Sequence, residues 1–115
     1  MDILTYRVLH QIGIIVLFTG LGAALALARA PKGRGIALAI HGIGLLMVLV
    51  AGFGLLAKAR AGEWEGWIIA KVGIWLLVAC LPMFARKGIV PVALAWVLGF
   101  ALGGTAVWLA VMKPF

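Results

Sequence analysis

The apolar stretches of the sequence contain three side chains that could bind a metal or a cofactor: His10, His41 and Lys71. A neutral imidazole is a good ligand for haem iron and other metal ions, so His10 and His41 are the candidate metal ligands. The ammonium of Lys71 is a candidate second ligand, or a partner for an anionic group of a cofactor. Together the three residues form the candidate cofactor-binding set.

Each of these residues also has a purely structural explanation. A histidine in a membrane helix can hydrogen-bond a neighbouring helix or a backbone carbonyl, which relieves the cost of burying its polar atoms. A lysine about one turn inside a helix end can extend its stem back to the lipid headgroups. The sequence leaves both explanations open.

Four apolar segments carry these side chains. The chain has 115 residues, of which 66% are hydrophobic and 11% charged, and a soluble domain of this length does not tolerate that composition on its surface. Each segment reaches or approaches the ~20 residues that a helix needs to cross the hydrocarbon core. We predict an all-α polytopic membrane protein, a four-transmembrane-helix bundle forming a single domain over residues 1–115. Its helices are predicted at about residues 6–28, 35–57, 67–85 and 89–112.

The direction of each helix sets the depth of its polar residue. Helices one and three run the same way, so His10 and Lys71 lie at similar depth, roughly 6 Å below one interface. His41 belongs to the antiparallel second helix, and its depth differs from theirs by roughly 15 Å. We therefore expect His10 and Lys71 to meet, and we do not expect His10 and His41 to bind opposite faces of one metal.

Glycines accompany both histidines. The segment Leu9-His10-Gln-Ile-Gly13 is echoed by Ile40-His41-Gly-Ile-Gly44, and Gly20 continues the face of His10. Small faces of this kind let a flat macrocycle or another helix approach the backbone closely. Either an internal repeat or an accidental similarity of two glycine-rich helices explains the echo.

The basic residues indicate membrane topology. A net charge of +7 would suggest nucleic-acid binding in a soluble chain, but these cations lie mainly at helix ends and in loops. We expect the lipid bilayer, and no nucleic acid, as their partner. The cations of the short first and third loops outnumber those of the two ends and the second loop, so the positive-inside rule places both termini on the periplasmic side. The first group comprises Arg29, Lys32, Arg34, Arg86 and Lys87, and the second Arg7, Lys58, Arg60 and Lys113.

Carboxylates are absent from the apolar segments, because Asp2, Glu63 and Glu65 all fall outside them. A transporter would therefore have to couple through His10 or Lys71. The sequence also has no zinc-ligand spacing, no phosphate-binding loop and no nucleophile beside a base.

Tryptophans and small residues mark positions along the helices. Trp64, Trp67 and Trp108 are expected at the membrane interface, whereas Trp75 and Trp96 are expected in core packing or beside a ring-shaped ligand. The segment from Gly99 to Gly104 has a small-xxx-small pattern suited to close helix packing, within the bundle or against another subunit.

The order of these features resembles the SirB family of small bacterial membrane proteins. The resemblance rests on Leu9-His10 in the first helix, His41 early in the second and Trp67-x-x-x-Lys71 at the start of the third. SirB-like chains are related to CopD-like and HemJ-like four-helix proteins, which share a first-helix histidine and a third-helix lysine. The resemblance implies a bacterial inner-membrane protein that binds b-type haem through His10, His41 and Lys71. Ile40 and Gly44 stand where SirB-like chains tend to have proline and an acid.

Three hypotheses for function follow. The first is a haem-binding protein of electron transfer or haem-related redox chemistry, with His10 as axial ligand, Lys71 as second ligand or propionate partner, and His41 in a separate or structural role. The second is a cofactor-free accessory or assembly subunit that packs against other membrane subunits or forms a homo-oligomer. The third is a small transporter or quinone-site protein that uses His10 and Lys71 as proton-linked groups. No particular reaction is assigned.

Overall fold

The described part of the chain folds into four consecutive α-helices. The computed structural model describes residues 2–30, 32–60 and 63–112, and its helices are α1 (Ile3–Ala26), α2 (Arg34–Arg60), α3 (Gly66–Arg86) and α4 (Val92–Met112). All four are long and apolar enough to cross a membrane. The predicted all-α, four-helix fold class is therefore confirmed. Lys113 and the side chain of Arg60, both used in the charge comparison, lie outside the described part of the chain.

Helix α1 begins three residues before the predicted start because Asp2 caps it. The carboxylate oxygen Oδ1 of Asp2 accepts hydrogen bonds from the backbone N–H and from the hydroxyl of Thr5, both at 2.8 Å. Helix N-termini leave their first N–H groups without partners, and an aspartate at the cap satisfies one of them. The first turn of α1 therefore includes Ile3 and Leu4.

Helix α4 begins at Val92 rather than at Ile89 because the intervening residues terminate α3. Gly88 has a positive φ of 76°, and its N–H donates to the carbonyl of Ala85 at 3.3 Å. The N–H of Ile89 donates to the carbonyl of Phe84 at 3.0 Å. These two bonds form a Schellman motif, which uses glycine in the left-handed conformation and places an apolar residue after it.

The glycines beside the two histidines bring α1 and α2 into close contact. A Cβ added at Gly13 would lie 2.8 Å from the Cβ of Met47. A Cβ at Gly20 would overlap the backbone of His41, and one at Gly44 would overlap the backbone of Leu17. The expectation that these glycines admit a flat macrocycle is therefore wrong, because the opposing helix occupies the space beside them.

Helices α3 and α4 cover one side of this tight pair. A buried apolar cluster joins α1 to α3 and α4, and it consists of Leu17, Leu21, Leu25, Val78, Leu81, Ala85 and Ala95. The small residues of α4 face this cluster, since a Cβ at Gly99 would lie 3.1 Å from Leu21 and one at Gly103 would lie 2.9 Å from Phe18. The small-xxx-small pattern of α4 therefore serves packing within the bundle.

The outer surface of α4 is apolar, as lipid contact requires. Phe100 is 85% exposed and Trp96 is 52% exposed. The expectation that Trp96 packs in the core is therefore wrong: its side chain lies on the outer face of α4, while Ala95 and Gly99 turn inward. Because lipid tails are as apolar as the protein core, hydrophobicity alone does not separate the two faces of such a helix.

Candidate cofactor site

The imidazole of His10 is oriented by the backbone of the neighbouring helix. Its Nδ1 atom lies 3.1 Å from the carbonyl oxygen of Val48 on α2. A carbonyl oxygen only accepts hydrogen bonds, so Nδ1 carries the proton and donates it. In the neutral ring, Nε2 then has a free lone pair. Gly52 lies beside the ring, and a Cβ there would contact the Cε1 atom of His10 at 3.4 Å.

Lys71 projects from α3 beside an oriented tryptophan. Its Nζ atom lies 5.8 Å from the ring centroid of Trp67, within range of a cation–π interaction. The indole N–H of Trp67 donates to Oε2 of Glu65 at 2.7 Å, which fixes the plane of the ring. Trp67 is 9% exposed and lines the same cavity as Lys71, so its ring is part of the site wall.

His10 and Lys71 line one cavity of about 450 Å³. Their presence in one cavity agrees with the depths derived for α1 and α3. Aromatic rings form much of the wall. Phe53 and Trp64 meet edge to face with their centroids 6.0 Å apart. The cavity therefore combines an apolar, aromatic interior with two basic groups.

The charged residues that line this cavity are cations. Arg7 and Lys71 are its charged lining residues, and no aspartate or glutamate of the described chain lines it. Gln11 adds a neutral polar group from α1. A cavity of this composition suits a largely apolar ligand that carries acidic groups or an electron-pair acceptor such as a metal centre.

Trp75 also belongs to the site. From the sequence alone, this residue is expected either in core packing or beside a ring-shaped ligand. Its indole N–H donates to the carbonyl of Leu45 on α2 at 3.0 Å, and its ring lines the cavity. The signal for this position was the spacing, because residues four apart on a helix share a face and Trp75 follows Lys71 by four.

His41 lies in a different place. It is 3% exposed, its Nδ1 atom lies 3.1 Å from the carbonyl oxygen of Leu17, and it lines a second cavity of about 440 Å³. The two cavities share no lining residue. The structure therefore brings His10 and Lys71 together and keeps His41 apart, as the helix directions predict.

Few of the described side chains that line the cavity of His10 and Lys71 can ligate a metal ion. Within residues 2–30, 32–60 and 63–112, no three histidine, cysteine, aspartate or glutamate side chains come together as a metal-binding group. A free divalent ion would therefore find one imidazole and no carboxylate among the described residues that line this cavity. A prefabricated metal complex needs fewer protein ligands, because its own ring supplies the others.

Comparison with known proteins adds no information about the site. The chain matches no protein-family model, no curated protein and no solved structure.

Proposed function

We propose that this protein binds b-type haem in the cavity between His10 and Lys71, and that it takes part in electron transfer or haem-related redox chemistry. The proposal includes the bacterial inner membrane as its location, with both termini on the periplasmic side. The resemblance to SirB-like proteins and the charge distribution of the loops support these last two points.

The observation that carries the proposal is the hydrogen bond from Nδ1 of His10 to the carbonyl of Val48. Histidines that bind metals commonly donate their other ring N–H to a carbonyl or carboxylate, which fixes the tautomer and the ring orientation. Nε2 of His10 would then hold the iron of a bound haem. The entropy cost of fixing the imidazole ring is met when the protein folds, because α1 and α2 hold the ring before any ligand binds.

The remaining lining residues fit the rest of a haem. The ring face needs an apolar, water-excluding wall, which Phe53 and Trp75 supply. The carboxylates of a haem need cations, and Arg7 and Lys71 are the cations among the described residues that line the cavity. Bound haem would supply one-electron redox chemistry, whose potential depends on the axial ligand and on burial.

The absorption spectrum of protein purified from haem-replete cells tests this proposal. We expect a Soret band in the wild type, loss of the band in His10→Ala and retention of it in His41→Ala. The two substitutions are matched, because each removes one imidazole-to-carbonyl bond between α1 and α2. A colourless wild-type protein, or equal loss of the band in both variants, would contradict haem binding at His10.

A cofactor-free accessory subunit is the second proposal, and the packing of α1 and α2 favours it. Gly13, Gly20 and Gly44 all serve contact between these helices, and both histidines bond backbone carbonyls across them. These glycines and the two Nδ1 hydrogen bonds then have a role in packing alone. The proposal predicts a defined partner after purification in mild detergent, and a colourless chain that is fully stable as an isolated monomer would contradict it.

A further inference from the structure

The second cavity lies at the membrane end that carries the first and third loops. It is formed by the end of α1, the beginning of α2 and the end of α3, and it measures about 440 Å³. Its apolar wall includes Ala24, Leu38 and Pro82. It is independent of the proposed haem site, since the two cavities share no lining residue.

Three cations of the described chain, at the start of α2 and the end of α3, line this cavity. They are Arg34, Arg86 and Lys87, and no aspartate or glutamate of the described chain lines the cavity with them. Arg34 donates one N–H to the carbonyl of Ala28 at 3.3 Å, which orients its guanidinium and leaves its other donors available. Basic pockets between membrane helices at this kind of interface suit the phosphate of an anionic lipid.

His41 lines the same cavity and carries a buried polar atom. The side chain is 3% exposed, and its Nδ1 atom donates to the carbonyl of Leu17. Its Nε2 atom is buried and has no hydrogen-bond partner among the described residues. A buried polar atom without a partner costs free energy, and most such atoms in native proteins are paired. A ligand that shares a proton with Nε2 would remove this cost.

We infer that this cavity binds a phosphate monoester, whose anionic oxygens pair with Arg34, Arg86 and Lys87 and whose remaining proton is shared with Nε2 of His41. A phosphate monoester loses its second proton at a pKa of about 6, so near neutral pH it still offers a P–OH group part of the time. A phosphodiester has no such proton and would place oxygen lone pairs against the lone pair of Nε2. The site therefore distinguishes a monoester from a diester.

Two sources could supply this group. One is a lipid phosphomonoester, whose chains would extend along the apolar wall toward the bilayer, and the other is free phosphate or a soluble monoester. The position of the cavity at a membrane end suits the lipid. Both sources require the same contacts with the cations and with His41.

Ligand binding to the detergent-purified protein tests the inference, for example by native mass spectrometry with dioleoyl phosphatidate, phosphatidylglycerol, phosphatidylcholine and inorganic phosphate. The decisive variant is Arg86→Ala/Lys87→Ala, because both residues are exposed and their loss leaves the packed core intact. The matched control is Arg29→Ala/Lys32→Ala, which removes the same charge from the same membrane end but from residues that do not line the cavity.

We expect the wild type to prefer phosphatidate over both phosphatidylglycerol and phosphatidylcholine. The Arg86→Ala/Lys87→Ala variant should bind phosphatidate at least about tenfold more weakly, and the control should stay within about twofold of the wild type. His41→Phe should retain affinity for anionic lipids and lose the preference for the monoester. Inorganic phosphate that binds and competes with phosphatidate would identify the soluble source and support the shared chemistry.

Other results would overturn the inference. Equal affinity of the wild type for phosphatidate and phosphatidylglycerol would remove the role of Nε2 of His41. Equal weakening in both double variants would assign the effect to general surface charge, and absence of binding would exclude the site. None of these readouts depends on haem, so failure here is distinguishable from failure of the proposed function.

Discussion

The Nδ1 atom of His41 lies 3.1 Å from the carbonyl oxygen of Leu17, so an imidazole of α2 is bonded to the backbone of α1. The opposite bond runs from His10 of α1 to Val48 of α2, also at 3.1 Å. His41 follows His10 by 31 residues, and Val48 follows Leu17 by the same 31 (10 to 41 and 17 to 48). The two bonds are thus equivalent under exchange of the two helices.

The glycine contacts obey the same exchange. A Cβ at Gly13 would lie 3.0 Å from the backbone nitrogen of Val48, and a Cβ at Gly44 would overlap the backbone nitrogen of Leu17. Gly44 again follows Gly13 by 31 residues (13 to 44). The short sequence echo around His10 and His41 therefore corresponds to an antiparallel helix pair with local two-fold symmetry, the arrangement of an inverted repeat in a membrane.

We predict that Gly44→Ala destabilises the protein by about 1–3 kcal/mol, because the added methyl group overlaps the backbone of Leu17 and forces α1 and α2 apart. Gly42→Ala is the matched control, since nothing lies within 4 Å of a Cβ there. Thermal or denaturant unfolding of the detergent-purified protein measures both. Equal stability of the two variants would show that the α1–α2 contact is looser than described.

We predict a smaller cost for Trp75→Phe, which keeps an aromatic ring but removes the N–H that donates to Leu45. Hydrogen bonds between membrane helices contribute about 0.6 kcal/mol on average and up to about 1.7. Trp96→Phe is the control, because Trp96 is exposed on the outer face of α4. The same unfolding measurement should leave the Trp96 variant near the wild type, and a larger loss for Trp96→Phe than for Trp75→Phe would contradict the assignment.

Substitutions of Lys71 distinguish its two possible roles toward haem. If the ammonium faces the haem carboxylates, Lys71→Arg keeps the charge and should retain haem with an unchanged Soret position, whereas Lys71→Met should weaken binding about tenfold. If Lys71 ligates the iron, both variants should shift the Soret band. We expect the first pattern, because arginine preserves the cation that Trp67 holds in the cavity. Haemin titrations followed by absorbance measure both quantities.

The cap of α1 gives a pH-dependent prediction. The backbone N–H and the hydroxyl of Thr5 hold the pKa of Asp2 below its usual value. Because the folded state prefers the ionised carboxylate, the contribution of this cap is present above the usual pKa and is lost as the pH falls through the lowered one. The carboxyl carbon shift of Asp2 should therefore titrate below the midpoint of an unstructured peptide. In Asp2→Asn the Thr5 amide shift should not titrate over this range, and an unshifted Asp2 midpoint would exclude the cap.

Much of the fold follows from the sequence because long apolar segments have few alternatives in a bilayer. The relative depths of His10, His41 and Lys71 also follow, since they depend only on helix direction and on a fixed rise per residue. The face that each helix buries does not follow in the same way. Trp96 and Trp75 are both aromatic residues within apolar segments, yet one lies on the exposed outer face of α4 and the other lines a cavity. Hydrophobicity alone does not distinguish these two positions.

The exact ends of the helices do not follow from hydropathy either. The apolar pair at residues 89 and 90 extends the hydropathy of α4, but hydropathy does not record that Gly88 turns the chain back onto the carbonyl of Phe84. The contacts of Gly13 and Gly44 are also only partly predictable from the sequence. Their small size predicts close approach, but whether a helix or a ligand approaches depends on packing across the bundle.

Imidazole rescue of a His10→Gly variant tests the central claim most directly. The variant removes the side chain and leaves space beside Val48 in which free imidazole can take the place of the ring. We predict that the purified variant fails to form the Soret band of the wild type on haemin titration, and that added imidazole restores both the band and a stoichiometry of about one haem per chain. A wild-type spectrum in the variant without imidazole would contradict the claim that His10 ligates the iron.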